Sequence, residues 1–143
     1  MKLLFLDFDG VLHPTSATAG QWLVGAGGLA EAMANFECSI VISSSWRHHH
    51  PLQRLIKMLP TRLAERVVGT TGAAYIGQQA RHMEILAYLE QASDRLPQWR
   101  ALDDSRFEFP TDCPELIACN PNTGFSLRQA TVLRNWLTDK QSL

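Results

Sequence analysis

The sequence has no stretch approaching the roughly 20 consecutive apolar residues that a membrane-spanning helix needs, and its N-terminal apolar run is cut short by Asp7 and Asp9. A secretory leader needs a longer uninterrupted segment, so none is expected and the protein is read as cytoplasmic. It also lacks a surplus of charge of either sign, since 13 Lys and Arg stand against 14 Asp and Glu for a formal net charge of -1. No global positive field therefore draws in nucleic acid or an anionic membrane, although a local patch is not excluded. Cysteine is scarce: Cys38, Cys113 and Cys119 are odd in number and none has CxxC spacing. That excludes a zinc ribbon and a secreted disulfide framework, and leaves buried or half-buried free thiols in a reducing compartment as the expectation. Repeats, low-complexity tracts and linkers are absent too. The 143 residues are read as one domain, 1–143, of a size able to bury a proper core.

A hydrophobic content of 45% with 19% charged residues is ordinary folded composition. Short continuous apolar segments alternate with segments whose apolar residues recur at helical spacing. Strands are expected at Leu3–Leu6, Ser39–Ile42, Val67–Gly69, Trp99–Leu102 and Leu116–Cys119. Helices are expected at Leu29–Phe36, with Gly27 and Gly28 before it, at Pro51–Leu59 and at Arg81–Gln91. A final helix starts at the Ser126/Gln129 capping box and carries Ala130, Leu133 and Leu137. Such alternation predicts an α/β fold: a mainly parallel sheet with helices on both faces, three layers in all, with ligands at the carboxyl ends of the strands.

The acids fall where that rule matters. Asp7 and Asp9 follow the first strand, and Asp103 and Asp104 follow a later one, so the fold brings four carboxylates to one rim. They would repel one another unless a hard divalent cation such as magnesium, which prefers oxygen ligands, offset them. Asp-Phe-Asp-Gly alone can also be a strand-ending turn. Ser43, Ser44 and Ser45 follow the second strand, and each hydroxyl can serve an anion; Ser43 is favoured because it directly follows the apolar run. His48, His49 and His50 are adjacent and diverge in direction, so they read as a solvated helix start rather than a metal site. Trp46 is read as covering the core in preference to stacking on a base.

Asp7-Phe8-Asp9-Gly10-Val11 after an apolar strand resembles the first motif of the haloacid-dehalogenase-like (HAD) phosphatase superfamily. Ser43 resembles its second motif, Arg81 stands for its basic third, and Leu102-Asp103-Asp104 resembles its acidic fourth. More narrowly, Ser43 to Arg47, Arg81 to Leu89, Ala101 to Asp104 and Asn120 to Phe125 resemble the small phosphatase domain of multifunctional "Swiss Army knife" RNA-repair proteins. No kinase or ligase segment accompanies it in these residues. The resemblance implies a Rossmann-like HAD fold without a large cap, because Leu12–Gly28 and Gly69–Ala80 are too short to form one.

The implied activity is that of a Mg2+-dependent phosphomonoesterase. Asp7 would be the nucleophile that forms an aspartyl-phosphate, and Asp9 the general acid-base. Ser43 or Ser44 would bind a phosphoryl oxygen, Gly10 would let the loop close around phosphate, and Arg81 would offset its charge. The metal would be held by Asp7, the Asp9 backbone carbonyl and Asp103, with Asp104 acting directly or through water. Family members more often carry Lys at the place of Arg81, but Lys57, the interior lysine, lies in a different helix. Arg47 and His48 are expected at the same rim, against an anionic substrate. An open site suits a polynucleotide terminus or another bulky phosphorylated end; a small-metabolite phosphatase is the alternative. A phosphoacceptor signalling domain would carry its paired acids early rather than late, and a non-catalytic module would have no need of Asp9.

Overall fold

The computed structural model describes residues 1–92 and 97–139. Five strands, β1 (Lys2–Leu6), β2 (Ser39–Ile42), β3 (Val67–Thr70), β4 (Gln98–Asp103) and β5 (Leu116–Ala118), lie in the order β3-β2-β1-β4-β5. Every neighbouring pair is parallel. β1 is central, paired with β2 on one side and β4 on the other. Its unbroken apolar run follows from that position, because a central parallel strand is covered on both faces.

Successive side chains of β1 point to opposite faces. Leu4 and Leu6 enter a core built with Ile40, Ile42 and Leu102 and covered by four helices. These are α1 (Ala26–Met33), α2 (Leu52–Met58), α3 (Thr61–Ala64) and α5 (Leu127–Thr138), which contribute Leu29, Leu55, Leu63 and Leu133. Leu3 and Phe5 enter a smaller core with Val41 and Ala101, closed by Ile85 and Leu89 of α4 (Ala80–Ala92) and by Phe109. The result is three layers, helices on both faces of a parallel sheet, with no cap domain among the described residues.

One helix departs from expectation. α1 starts at Ala26 and ends at Met33, so Gly27 and Gly28 lie inside it rather than before it. Burial of Ala26, Leu29, Ala30 and Met33 outweighs the weak helix preference of glycine. The start is fixed where the Gly25 N–H donates to Leu12 O at 2.7 Å. The four-residue helix α3 was not expected from the sequence. α5 begins as expected, with Gln129 Oε1 accepting from the Ser126 N–H at 3.0 Å.

Cys38 and Cys119 are buried and Cys113 half-buried, all as free thiols. Among the described residues no helix is long and apolar enough to cross a membrane.

The sheet's hydrogen bonding continues one residue beyond its strands. Asp7 N–H donates to Leu102 O at 3.1 Å, Ser43 N–H to Leu6 O at 2.8 Å and Thr71 N–H to Ile42 O at 3.0 Å. The first residues past the carboxyl ends of β1, β2 and β3 are therefore held as firmly as the strands themselves.

Candidate active site

Asp7, Asp103 and Asp104 converge at this rim, with one carboxylate oxygen from each lying within 4.8 Å of the other two. Asp7 and Asp103 are buried. Burial, reinforced by the charge of Asp103, holds the Asp7 carboxyl well above the usual carboxylate range. Burial likewise pushes Asp103 up to about 6, with Asp104 adding to the shift and Arg81 opposing it. The Phe8 N–H donates to Asp7 Oδ1 at 2.8 Å and fixes that side chain on the loop.

Arg81, at the start of α4, reaches into the cluster. Its Nη1 lies 2.8 Å from Asp103 Oδ2 and 3.4 Å from Asp7 Oδ1, and it donates to Ser43 O at 2.5 Å. Burial works against its charge, but Asp103, Asp7 and Glu84 outweigh burial and raise its pKa. One guanidinium still faces three carboxylates. That deficit of positive charge, surrounded by hard oxygen donors, fits a divalent cation of the magnesium type held by Asp7, Asp103 and Asp104.

Gly10 is required by geometry: at φ 74° it sits in the left-handed region, and a Cβ there would lie 2.2 Å from Asp104 Oδ2. The absent side chain makes room for the Asp104 carboxylate over the loop.

The three serines separate. Ser44 Oγ accepts from the Trp46 N–H at 3.2 Å, capping a short 3-10 turn over Ser45–His48. Ser45 is exposed. Ser43 Oγ is buried and has no hydrogen-bond partner among the described residues, and Thr71 Oγ1, at the end of β3, is in the same condition. Leaving a buried hydroxyl unpaired costs about 1–3 kcal/mol, so two such groups at the strand rim call for a partner from outside the described residues.

Asp9 does not join the other three acids. The chain turns at Phe8, whose carbonyl accepts from the N–H groups of Val11 and Leu12 at 3.2 and 2.9 Å, and Asp9 swings away. Its side chain is 45% exposed, with Oδ1 2.8 Å from His13 Nε2. Asp9 Oδ2 accepts from Trp46 Nε1, also at 2.8 Å. The carboxylate cluster thus has three members rather than four, leaving Asp9 only its backbone carbonyl for a place at the cation.

Arg47 does not face the open rim either. Its side chain is 5% exposed, with Nη2 3.0 Å from Glu84 Oε1, off line for a hydrogen bond and so an ionic contact. Its Nε donates to Gly72 O and its Nη1 to Ser44 O, both at 2.9 Å. The 3-10 turn rotates the guanidinium inward to Glu84, so Arg47 lies behind the exposed rim where the sequence places it. His48 is exposed at the end of the same turn. Trp46 packs in the core, as read, but its N–H also serves Asp9. His13 and Glu84 carried no motif signal, because each acts through a neighbour that only the fold supplies, and Thr71 reaches the rim only through the pairing of β3 with β2.

Among known proteins, the family model described as the HAD domain in Swiss Army Knife RNA repair proteins matches residues 3–130. No curated protein and no solved structure matches the chain.

Proposed function

The chain belongs to the family of HAD domains in Swiss Army Knife RNA repair proteins, a membership that points to phosphohydrolase-type chemistry, and from it we propose a magnesium-dependent phosphomonoesterase that works through an aspartyl-phosphate on Asp7. The observation that carries this reading is the buried, unpartnered Ser43 hydroxyl, directly after the strand that pairs with β1, at whose end the buried Asp7 carboxyl lies. A phosphoryl group attacked by Asp7 would bring the acceptor that this hydroxyl lacks.

In the first step the Asp7 carboxylate attacks phosphorus, the bond to the leaving oxygen breaks, and Asp9 gives that oxygen its proton. In the second, water attacks the same phosphorus while Asp9 takes the water's proton, and the Asp7–phosphorus bond breaks to release phosphate. Ser43 donates to a non-bridging oxygen, and Arg81, fixed by Ser43 O and Asp103, sets its remaining N–H groups toward the equatorial oxygens. Asp7, Asp103, Asp104 and the Asp9 carbonyl would hold a magnesium ion, which would supply positive charge to offset the three carboxylates and a phosphoryl dianion.

The rim without a cap supports a bulky phosphorylated end, such as a polynucleotide terminus, over a small sugar phosphate. A groove of about 1330 Å³ opens from Asp104 and is lined by Arg106, Phe107, Asn120 and Arg128. Phe107 is 92% exposed and offers a ring face on which a base can stack.

The test is hydrolysis of an aryl phosphate, a sugar phosphate and oligonucleotides phosphorylated at the 5′ or 3′ end, each with magnesium and with excess chelator. Turnover should require magnesium, and kcat/KM should be highest on the oligonucleotides and fall as salt rises. Full activity in chelator would remove the metal-dependent reading. A large preference for the sugar phosphate would remove the bulky-end reading.

A further inference from the structure

A carboxylate that passes a proton to a leaving group and then takes one from water must hold its orientation through both steps. Asp9 has little packing to help it, being nearly half exposed. Its orientation comes instead from two N–H groups, His13 Nε2 on Oδ1 and Trp46 Nε1 on Oδ2, each at 2.8 Å.

Both donors are themselves immobilised. His13 is buried, and its Nδ1 accepts from the Leu23 N–H at 3.1 Å, so the ring's proton lies on Nε2 and points at Asp9. Leu23 is held at φ 65°, a left-handed backbone that a leucine disfavours and that occurs where its N–H meets the ring. The carbonyl of His13 accepts from the Gly10 N–H at 2.8 Å, which ties the donor's backbone to the residue next to Asp9. Trp46 has its backbone N–H on Ser44 Oγ and its indole packed edge to face between Phe8, at 5.3 Å, and Trp22, at 5.0 Å. One donor rides on the loop after β1 and the other on the turn after β2, so the sheet sets the angle between them.

We propose that His13 and Trp46 are positioning residues for Asp9: their two N–H groups clamp its carboxylate toward the leaving-group oxygen and leave each oxygen a lone pair for the moving proton. The inference rests on the aspartyl-phosphate reading above. The proton goes from Asp9 to the leaving oxygen as the phosphorus–oxygen bond breaks, and returns from water as the Asp7–phosphorus bond breaks, so each turnover restores Asp9. An indole N–H adds no net charge and orients the carboxyl group at both stages. A merely structural Trp46 would need only its ring.

The experiment compares the wild type with Trp46→Phe, which keeps a ring and removes the N–H, with His13→Leu, and with His13→Gln, whose amide N–H replaces that of Nε2. For each, kcat/KM is measured across phosphate esters from activated aryl to alkyl, and the protein is rapidly quenched for mass analysis. A slackened general acid should lower kcat/KM by about 10²-fold on alkyl phosphates, where the leaving oxygen needs its proton, and by only about threefold on the most activated aryl phosphate. Phosphoenzyme should accumulate on Asp7 in the variants, because the water-activating step also slows, and His13→Gln should recover part of the loss. Should His13→Leu fail to fold, Trp46→Phe and His13→Gln decide the matter alone. Unchanged rates, or a loss that is uniform across leaving groups, overturn the clamp while the phosphatase reading stands. A wild type that turns over no ester and forms no Asp7 adduct removes that reading, and the clamp with it.

Discussion

Asp7 and Asp9 have one residue between them and occupy opposite surroundings. Asp7 is buried among acids, with a guanidinium beside it and its pKa driven up by lost solvation. Asp9 is half in water, away from the acidic trio, and is held by ring N–H groups. The turn at Phe8 makes the separation, and the strands beyond it supply each environment: β4 and α4 for Asp7, the turn after β2 for Asp9. A two-residue spacing thus places two carboxylates in environments of opposite kind, the asymmetry on which the proposed division between nucleophile and proton carrier rests.

The comparison breaks most completely at Asp7. Asp7→Asn should lower kcat by at least about 10⁴-fold and leave no covalent adduct, because the amide is a poor oxygen nucleophile. Its thermal midpoint in chelator should be unchanged or raised, since the near-isosteric amide relieves charge repulsion at the rim. A quenched sample of this variant that still carries an adduct at residue 7 would show that the nucleophile is misassigned.

Asp9→Asn should cost less, about 10²–10⁴-fold, and differ in kind. Asp7 can still attack an activated aryl phosphate, so mass analysis should find phosphoenzyme building up. Equal losses in the two variants with no adduct in either would erase the division of labour.

Asp103→Asn sharpens the Asp7 side alone. Half-maximal activity should need about 10–100-fold more magnesium, and the rise in melting temperature on adding magnesium should shrink by the matching amount. An unaltered magnesium-dependent shift would take Asp103 out of the ligand set.

Gly10→Ala probes the hinge between the two sides. The Cβ would meet Asp104 Oδ2 at 2.2 Å in a backbone at φ 74°, which should destabilise the fold by about 2 kcal/mol. Denaturant midpoints read that loss directly, and a midpoint equal to the wild type's would mean the loop yields without strain.

How much of this was legible depended on how local each signal was. The five strands announce themselves as short apolar runs, and the acids that end β1 and β4 sit next to those runs, so their common rim follows from parallel topology alone. α1 was misplaced because glycine carries a strong local signal that burial then overrode at Gly27 and Gly28. Choosing among Ser43, Ser44 and Ser45 needed the cap on Trp46, which no spacing encodes. Arg47 was read at the rim from its place after β2, and Glu84, on a distant helix, draws it inward. His13 and Trp46 bear on Asp9 only once the loop has curled and the strands have paired.

The ladder bonds that run one residue past the strands imply a graded response to thermal motion. The amide of Asp7 sits in the same hydrogen-bonded network as the central strands, so its exchange with solvent deuterium is limited by unfolding of the whole sheet. The loop that follows lacks that ladder but is anchored through His13 by burial of Val11, Leu12 and His13 and by single bonds such as the Gly25 N–H to Leu12 O, and only its stretch from Thr15 to Trp22 lies mostly at the surface. On warming, that surface stretch should therefore exchange and loosen first, well before the buried segment that carries His13 and the amide of Asp7.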